Sequence, residues 1–192
     1  SFYGVTKLEG EEFVQYFLRA NGVPGAIARF SLTLEPWEAL EPDRPLGSFL
    51  HLRPMIGFVR ARAGEEQANA LAAKLTPGVE PLFLPRDAQG RPWRFQCCDV
   101  RDLVQGLQLL LEQPAAIGEA FNLSGPAPFS FDQVVHYLAA RTGQPIVEAT
   151  IAGPPMDVAI STAKARAMLG YQPQHDVFRT IDDALAARKS AS

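Results

Sequence analysis

The chain has 192 residues, 47% hydrophobic and 20% charged, with a formal net charge of −3. That length fits one domain, or one and a half small ones, and allows a real core. The weak negative charge gives no electrostatic case for nucleic acid or an anionic membrane surface, and no apolar run approaches the roughly 18 residues of a membrane span.

In chain order, apolar residues Val5, Leu8, Phe13, Val14, Phe17 and Leu18 recur at helical spacing from Tyr3 to Asn21, and Asn21-Gly22 supplies a stop. Pro24 and Gly25 lead into a short strand over "AIARFSL". Residues 33–47 carry Pro36, Pro42 and Pro45 and read as a long loop; 46–63 is ambiguous; 64–75 favours a helix by propensity. "EPLFLP" (80–85) and "WRFQCC" (93–98) read as strands joined by the turn "RDAQGR". Asp99 is an N-cap candidate for a helix that stops before Pro114, and "AFNLS" (120–124) is a strand. Ser130 and Gln133 form a capping box for a helix ending near Gly143, and "PIVEAT" (145–150) is a further strand. Ser161 then caps a short helix closed by Gly170, and a last helix runs over about 176–189. Strands alternating with helices argue for an α/β fold with crossover connections rather than hairpins.

Cys97 and Cys98 are neighbours, and adjacent strand residues face opposite ways, so they read as small apolar residues of a reduced, cytoplasmic protein. His51, His136 and His175 are scattered without ligand spacing, and no metal site is expected. Asp99 and Asp102 read as cap and first-turn acids rather than catalysts, and Trp37 and Trp93 as packing residues. No secretory leader pattern opens the chain, whose first residue is Ser rather than Met; it reads as processed, or as a piece of something longer.

The chemistry-bearing pattern is Tyr3 and Lys7, spaced Y-x-x-x-K. On a helix, positions i and i+4 share a face. A phenol with a reference pKa of about 10 is a poor base near neutral pH, but an adjacent ammonium favours the phenolate and makes proton exchange with a substrate hydroxyl or carbonyl feasible. The same ammonium has further donors for a cofactor's ribose hydroxyls.

"YGVTKLEGE" resembles the active-site helix of the extended short-chain dehydrogenase/reductase family, the NAD(P)-dependent nucleotide-sugar epimerases and dehydratases, with Glu11 four residues after the lysine. "ARFSLTLEP" is similar to the family's L-R-x-x-N-V-Y-G-P segment through Arg29 and Pro36. "CCDVRDLVQGLQLLLEQPAAIGEAFNLSG" resembles its V-x-D strand and helix and its G-x-x-[YF]-N-[IL] strand, at Val100, Asp102, Gly118, Phe121, Asn122 and Leu123. "FSFDQVVHYLAARTG" resembles the family's next helix, and "ISTAKARAMLGYQPQHDVFRTIDDAL" resembles its closing K-A-R-x-x-L-G-[YW]-x-P segment.

The resemblance implies the C-terminal portion of a Rossmann-like parallel sheet plus the small substrate-binding lobe. Residues 1–36 would be the active-site helix and a late Rossmann strand, 37–78 a variable helical insertion and candidate lid, and 79–192 the remaining strands and substrate lobe. It further implies NAD or NADP, with Tyr3 and Lys7 both catalytic and cofactor-binding. Arg94 and Asn122 are candidate substrate contacts, and a small-molecule substrate is expected together with either a homo-oligomer, built on the helix of residues 3–20, or a missing N-terminal half.

The chain departs from that pattern in four places. There is no glycine-rich phosphate loop, and the Ser or Thr that completes the family's catalytic set has no counterpart. Leu32 and Glu35 stand where the family has asparagine and glycine. Phe95 takes the place of a phosphate-binding arginine, with Arg94 one residue early. Residues 37–78 are idiosyncratic, with Arg53, Arg60 and Arg62 better read as a solvated helix face than as a lid. The isolated chain is therefore expected to be inactive. Two readings stay open: part of an epimerase, dehydratase or reductase acting on a hydroxyl or keto carbon of a (nucleotide-linked) sugar or similar molecule, or a non-catalytic remnant or binding module of the same fold.

Overall fold

Helical periodicity sets the first element, α1 (Phe2–Asn21), which ends where Gly22 turns at φ 65°. The computed structural model describes residues 2–190. Strands β1 (Ile27–Phe30) and β2 (Leu32–Leu34) come next, parted by Ser31 alone. The loop expected over 33–47 is shorter than its prolines suggest. Leu34 still belongs to β2, and Pro36 opens a 3-10 turn, Pro36–Leu40. Proline at that first position surrenders no needed N–H, and the Glu38 carboxylate accepts from the Glu35 N–H at 2.8 Å.

The ambiguous stretch 46–63 is helical. Helices α2 (Gly47–Leu50) and α3 (Leu52–Ala63) are separated by His51, whose backbone is extended at ψ 145° and whose Nδ1 lies 2.8 Å from the Gly47 carbonyl oxygen. Pro54 falls in the first turn of α3, where it breaks no helical hydrogen bond. Next come α4 (Glu65–Ala72), β3 (Leu82–Arg86), β4 (Arg94–Phe95) and β5 (Cys97–Asp99). Helix α5 (Val100–Glu112) is capped as expected, the Asp99 carboxylate accepting from Arg101 N at 2.9 Å. Strands β6 (Ala120–Leu123) and β7 (Phe129–Ser130) lead to α6 (Phe131–Thr142), whose Ser130–Gln133 capping box and left-handed Gly143 both form. Strand β8 (Ile146–Thr150), α7 (Ala163–Leu169) and α8 (Val177–Ser190) complete the order. The cap of α7 differs by one residue: Thr162 takes the N-cap position, and Ser161 Oγ accepts from Ala163 N at 3.4 Å.

Three strand pairs are parallel, β1–β6, β2–β5 and β3–β8, and β4–β7 is antiparallel. The turn at 86–91 does not make a hairpin. Past a single antiparallel bridge at Arg86 and Pro92, β3 takes β8 as its partner and β4 takes β7. Parallel pairing needs a long crossover, and α5 between β5 and β6 and α6 between β7 and β8 lie where such crossovers run. The result is the expected α/β class with Rossmann-like parallel pairing.

Two apolar clusters stabilise this frame. The larger joins α2, α3, β3 and α6 around the fully buried Trp93, Phe83 and Phe131. The smaller gathers Cys98, Phe121, Leu123, Leu169 and Tyr171 between the β5–β6 region and α7. Segment 37–78 contributes Leu46, Leu50, Leu52, Met55 and Val59 to the larger cluster, while Arg53 pairs with Glu80 and Arg60 with Glu65 at its surface. Helix α1 is different: it buries none of its residues. Among its links to the rest are Gln15 Nε2, which donates to the Gly118 carbonyl at 2.9 Å, and an ion pair from Glu11 to β1.

Candidate active site

Two elements build the site. Tyr3, Lys7 and Glu11 lie one helical turn apart along α1, so they form one stripe, and that stripe faces β1. Between helix and strand is an open pocket of about 590 Å³, lined by Tyr3, Lys7 and Glu11 on one side and Ile27, Arg29 and Phe30 on the other. Lys7 Nζ stands 4.9 Å from the centroid of the Tyr3 ring, an ammonium over an aromatic face. Tyr3 is 69% exposed, and among the described residues neither its hydroxyl nor the Lys7 ammonium takes a hydrogen-bond partner. Both groups are available to a ligand in the pocket.

Glu11 is committed. Arg29 Nε donates to its Oε1 at 2.7 Å, and Arg29 Nη2 grips Oε2, a two-pronged pair. The Arg29 hydrogen bonds hold the Glu11 carboxyl below its ordinary value against the opposing effect of burial, and the pair raises the guanidinium in turn. Sequence reasoning marks Glu11 and Arg29 only as matching positions. Their meeting depends on the path of β1 beneath α1.

Asn122 and Arg94 do not line this pocket. Asn122 sits on β6 in register with Arg29 on β1, so the fold brings it one strand over from the dyad side. Its Nδ2 donates to the Ser161 carbonyl at 3.1 Å, tying β6 to the approach of α7. Arg94 lies on β4 opposite Ser130, half exposed, with Nη1 3.6 Å from the Asp157 carboxylate. Its backbone bonds Met156 and Val158, stitching β4 to the segment before α7.

The remaining polar residues serve the frame. Asp102 is buried and accepts from the backbone N–H groups of Gln174 and His175. Cys97 and Cys98 are free thiols, both buried, and burial pushes Cys97 up to about 12 and Cys98 up to about 11. His51 is buried, and burial lowers its basicity. Among the described residues no three His, Cys, Asp or Glu side chains converge as a metal site would require, and no helix is long and apolar enough to cross a membrane. Trp93 is fully buried; Trp37 is partly exposed, its Nε1 donating to Glu35 at 2.8 Å and Arg44 stacked on its ring at 4.9 Å.

The α/β fold with parallel strand pairs is of the Rossmann-like class, and comparison with known proteins agrees. No family model matches the chain. An uncharacterized UDP-glucose epimerase of Bacillus subtilis is 27% identical over 175 residues, which is 89% of this chain and 46% of the relative. The crystal structure of a short-chain dehydrogenase/reductase superfamily protein from Agrobacterium tumefaciens with bound NAD superposes with a TM-score of 0.87 at 33% identity, covering 100% of this chain and 58% of that one. UDP-glucuronic acid 4-epimerase from Bacillus cereus, solved with UDP-glucuronic acid and NAD, shares the fold at a TM-score of 0.66 and 21% identity, with 100% and 54% covered. The chain thus spans about half the length of these relatives. In fold and in sequence it resembles the C-terminal portion of the extended short-chain dehydrogenase/reductase family.

Proposed function

We propose that this chain is the dyad-bearing portion of an NAD(P)-dependent epimerase, dehydratase or reductase acting on a hydroxyl or keto carbon of a sugar or similar small molecule, with nucleotide-linked sugars as one candidate substrate class. The observation that carries the reading is the meeting of Tyr3 and Lys7 in one pocket against β1, each with its polar head free among the described residues. Tyr3 Oη exchanges a proton with the substrate hydroxyl at the reacting carbon. Lys7 places a positive charge beside the Tyr3 ring, and its N–H donors suit the ribose hydroxyls of a nicotinamide cofactor. The chemistry that a bound NAD(P) would supply is hydride exchange at that carbon. Gly22 and Gly25 lie in the turn between α1 and β1 and form no phosphate cradle, so in this reading the pyrophosphate is held by a preceding half. Epimerisation, dehydration and alcohol–ketone exchange all begin with this step.

The test uses the longer protein. Tyr3→Phe is expected to lower NAD(P)H-linked turnover by about 100-fold or more while cofactor binding persists, and unchanged turnover overturns the reading. The departures at Leu32 and Glu35 favour a second reading, a non-catalytic binding module; Glu35 is spent on Trp37. That module would bind cofactor or sugar nucleotide with no turnover even with Tyr3 present.

A further inference from the structure

Lys7 and Glu11 stand at i and i+4 on α1, the spacing at which an ammonium and a carboxylate on an exposed helix pair with each other. Here they do not. Both Glu11 oxygens are taken by Arg29 from β1, and Lys7 forms no ion pair among the described residues, its ammonium lying over the Tyr3 ring instead. Apolar packing of α1 is slight, with Val14 and Leu18 only partly buried, and Glu11 is drawn across to Arg29 on β1. A guanidinium fork matches a carboxylate better than the point charge of an ammonium, so Arg29 wins the competition.

We infer that Arg29 is a positioning residue for the dyad: by occupying both carboxylate oxygens of Glu11 it withholds that acid from Lys7 and leaves the ammonium to Tyr3 and the pocket. The inference rests on the functional reading of Tyr3 and Lys7, but its physical content, a competition between two cations for one acid, can be read without turnover. The charged and titratable groups lining the pocket from both elements are Tyr3, Lys7, Glu11 and Arg29. Arg29 and Glu11 cancel each other there. Removing Arg29 leaves a carboxylate for Lys7 to pair with, removing Glu11 leaves none, and removing both restores the free ammonium.

The experiment measures how fast Lys7 is acylated by an amine-reactive ester at fixed mildly alkaline pH, read by peptide mass spectrometry on the folded 192-residue chain. Arg29→Gln is expected to slow Lys7 by about two-fold, the scale of an i,i+4 ion pair. Glu11→Gln and the double variant Arg29→Gln/Glu11→Gln are expected to react at or above the wild-type rate. Arg29→Lys, which keeps a cation without the fork, should fall between wild type and Arg29→Gln, and serves if Arg29→Gln does not fold. A merely structural pair would change the three Gln variants in the same direction. That result, or no slowing in either Arg29 variant, overturns the inference. In the longer protein the ascending limb of turnover against pH should move to higher pH in Arg29→Gln and return in the double variant. If Lys7 slows as expected but this limb stays fixed, the charge competition stands and the catalytic role of the dyad fails.

Discussion

Asp102 and His175, 73 residues apart in sequence, are joined by a carboxylate that holds a whole turn: Oδ2 accepts from His175 N at 2.9 Å, and Oδ1 accepts from Gln174 N at 2.9 Å and lies 2.8 Å from His175 Nδ1. Asp102 is 1% exposed, and its carboxylate gathers these donors from a segment that is itself only partly buried. Asp102→Ala would strand two backbone N–H groups and is expected to destabilise the chain by about 3 kcal/mol. Asp102→Asn keeps one acceptor oxygen and should lose about half of that. Urea unfolding of the three proteins measures both; a change below about 0.5 kcal/mol for Asp102→Ala would contradict the structural role.

Local chemistry is what the sequence makes legible. Ser130 with Gln133, Asp99 before its helix, and the left-handed Gly143 and Gly170 announce helix ends because the cap and its partner lie within a few residues. The Tyr3–Lys7 face is legible for the same reason, as i and i+4 meet on any helix. Pairing partners are not local. β3 finds β8 across some sixty residues, and nothing in "RDAQGR" announces that its flanking strands part company. The stretch 46–63 shows no clean period because Pro54 and His51 interrupt it, and burial of Leu50, Leu52 and Met55 in the core decides its conformation. Arg29 and Glu11 are matching positions in the sequence, and that they pair shows only when β1 is laid beside α1.

Among the described residues, Asp99 is the most buried of three carboxyls, with Glu11 and Asp87, that are held below their ordinary value by arginine partners. Burial alone would raise its carboxyl, but hydrogen bonds from Arg101 Nε at 2.8 Å, Nη2 at 2.7 Å and the backbone N–H, with Thr180 Oγ1 at 3.1 Å, hold it below the ordinary carboxylate value. A carboxyl held low in the folded state binds its proton more readily when unfolded. Its stabilisation is therefore complete above the unfolded value of about 4 and is lost as pH falls below that. Asp99→Asn is expected to weaken the fold at neutral pH and to flatten the decline between about pH 4 and pH 2. Denaturant midpoints across that range report the slope; an equally steep decline in the variant would assign the acid sensitivity to other carboxylates.

Helix α1 is the part of the chain with the least to hold it in place. Leu8, Phe13 and Tyr16 are each more than half exposed along one face, and Leu111 on α5 is 88% exposed beside an open groove. Contiguous apolar surface of this kind is normally covered, and β1 pairs with β6 on one edge only among the described strands. In the function proposed above, a preceding half or a second copy covers it. Taken alone, the 192-residue chain is expected to self-associate, so its weight-average mass in sedimentation equilibrium should rise with concentration. Leu8→Glu combined with Phe13→Lys alters the exposed face without touching the buried core, so it should shift that equilibrium toward monomer and leave the unfolding midpoint of the rest of the fold unchanged. A wild-type chain that stays monomeric at every dilution would show that α1 tolerates water along its exposed face, and that the links from Gln15 to Gly118 and from Glu11 to Arg29 suffice to hold it.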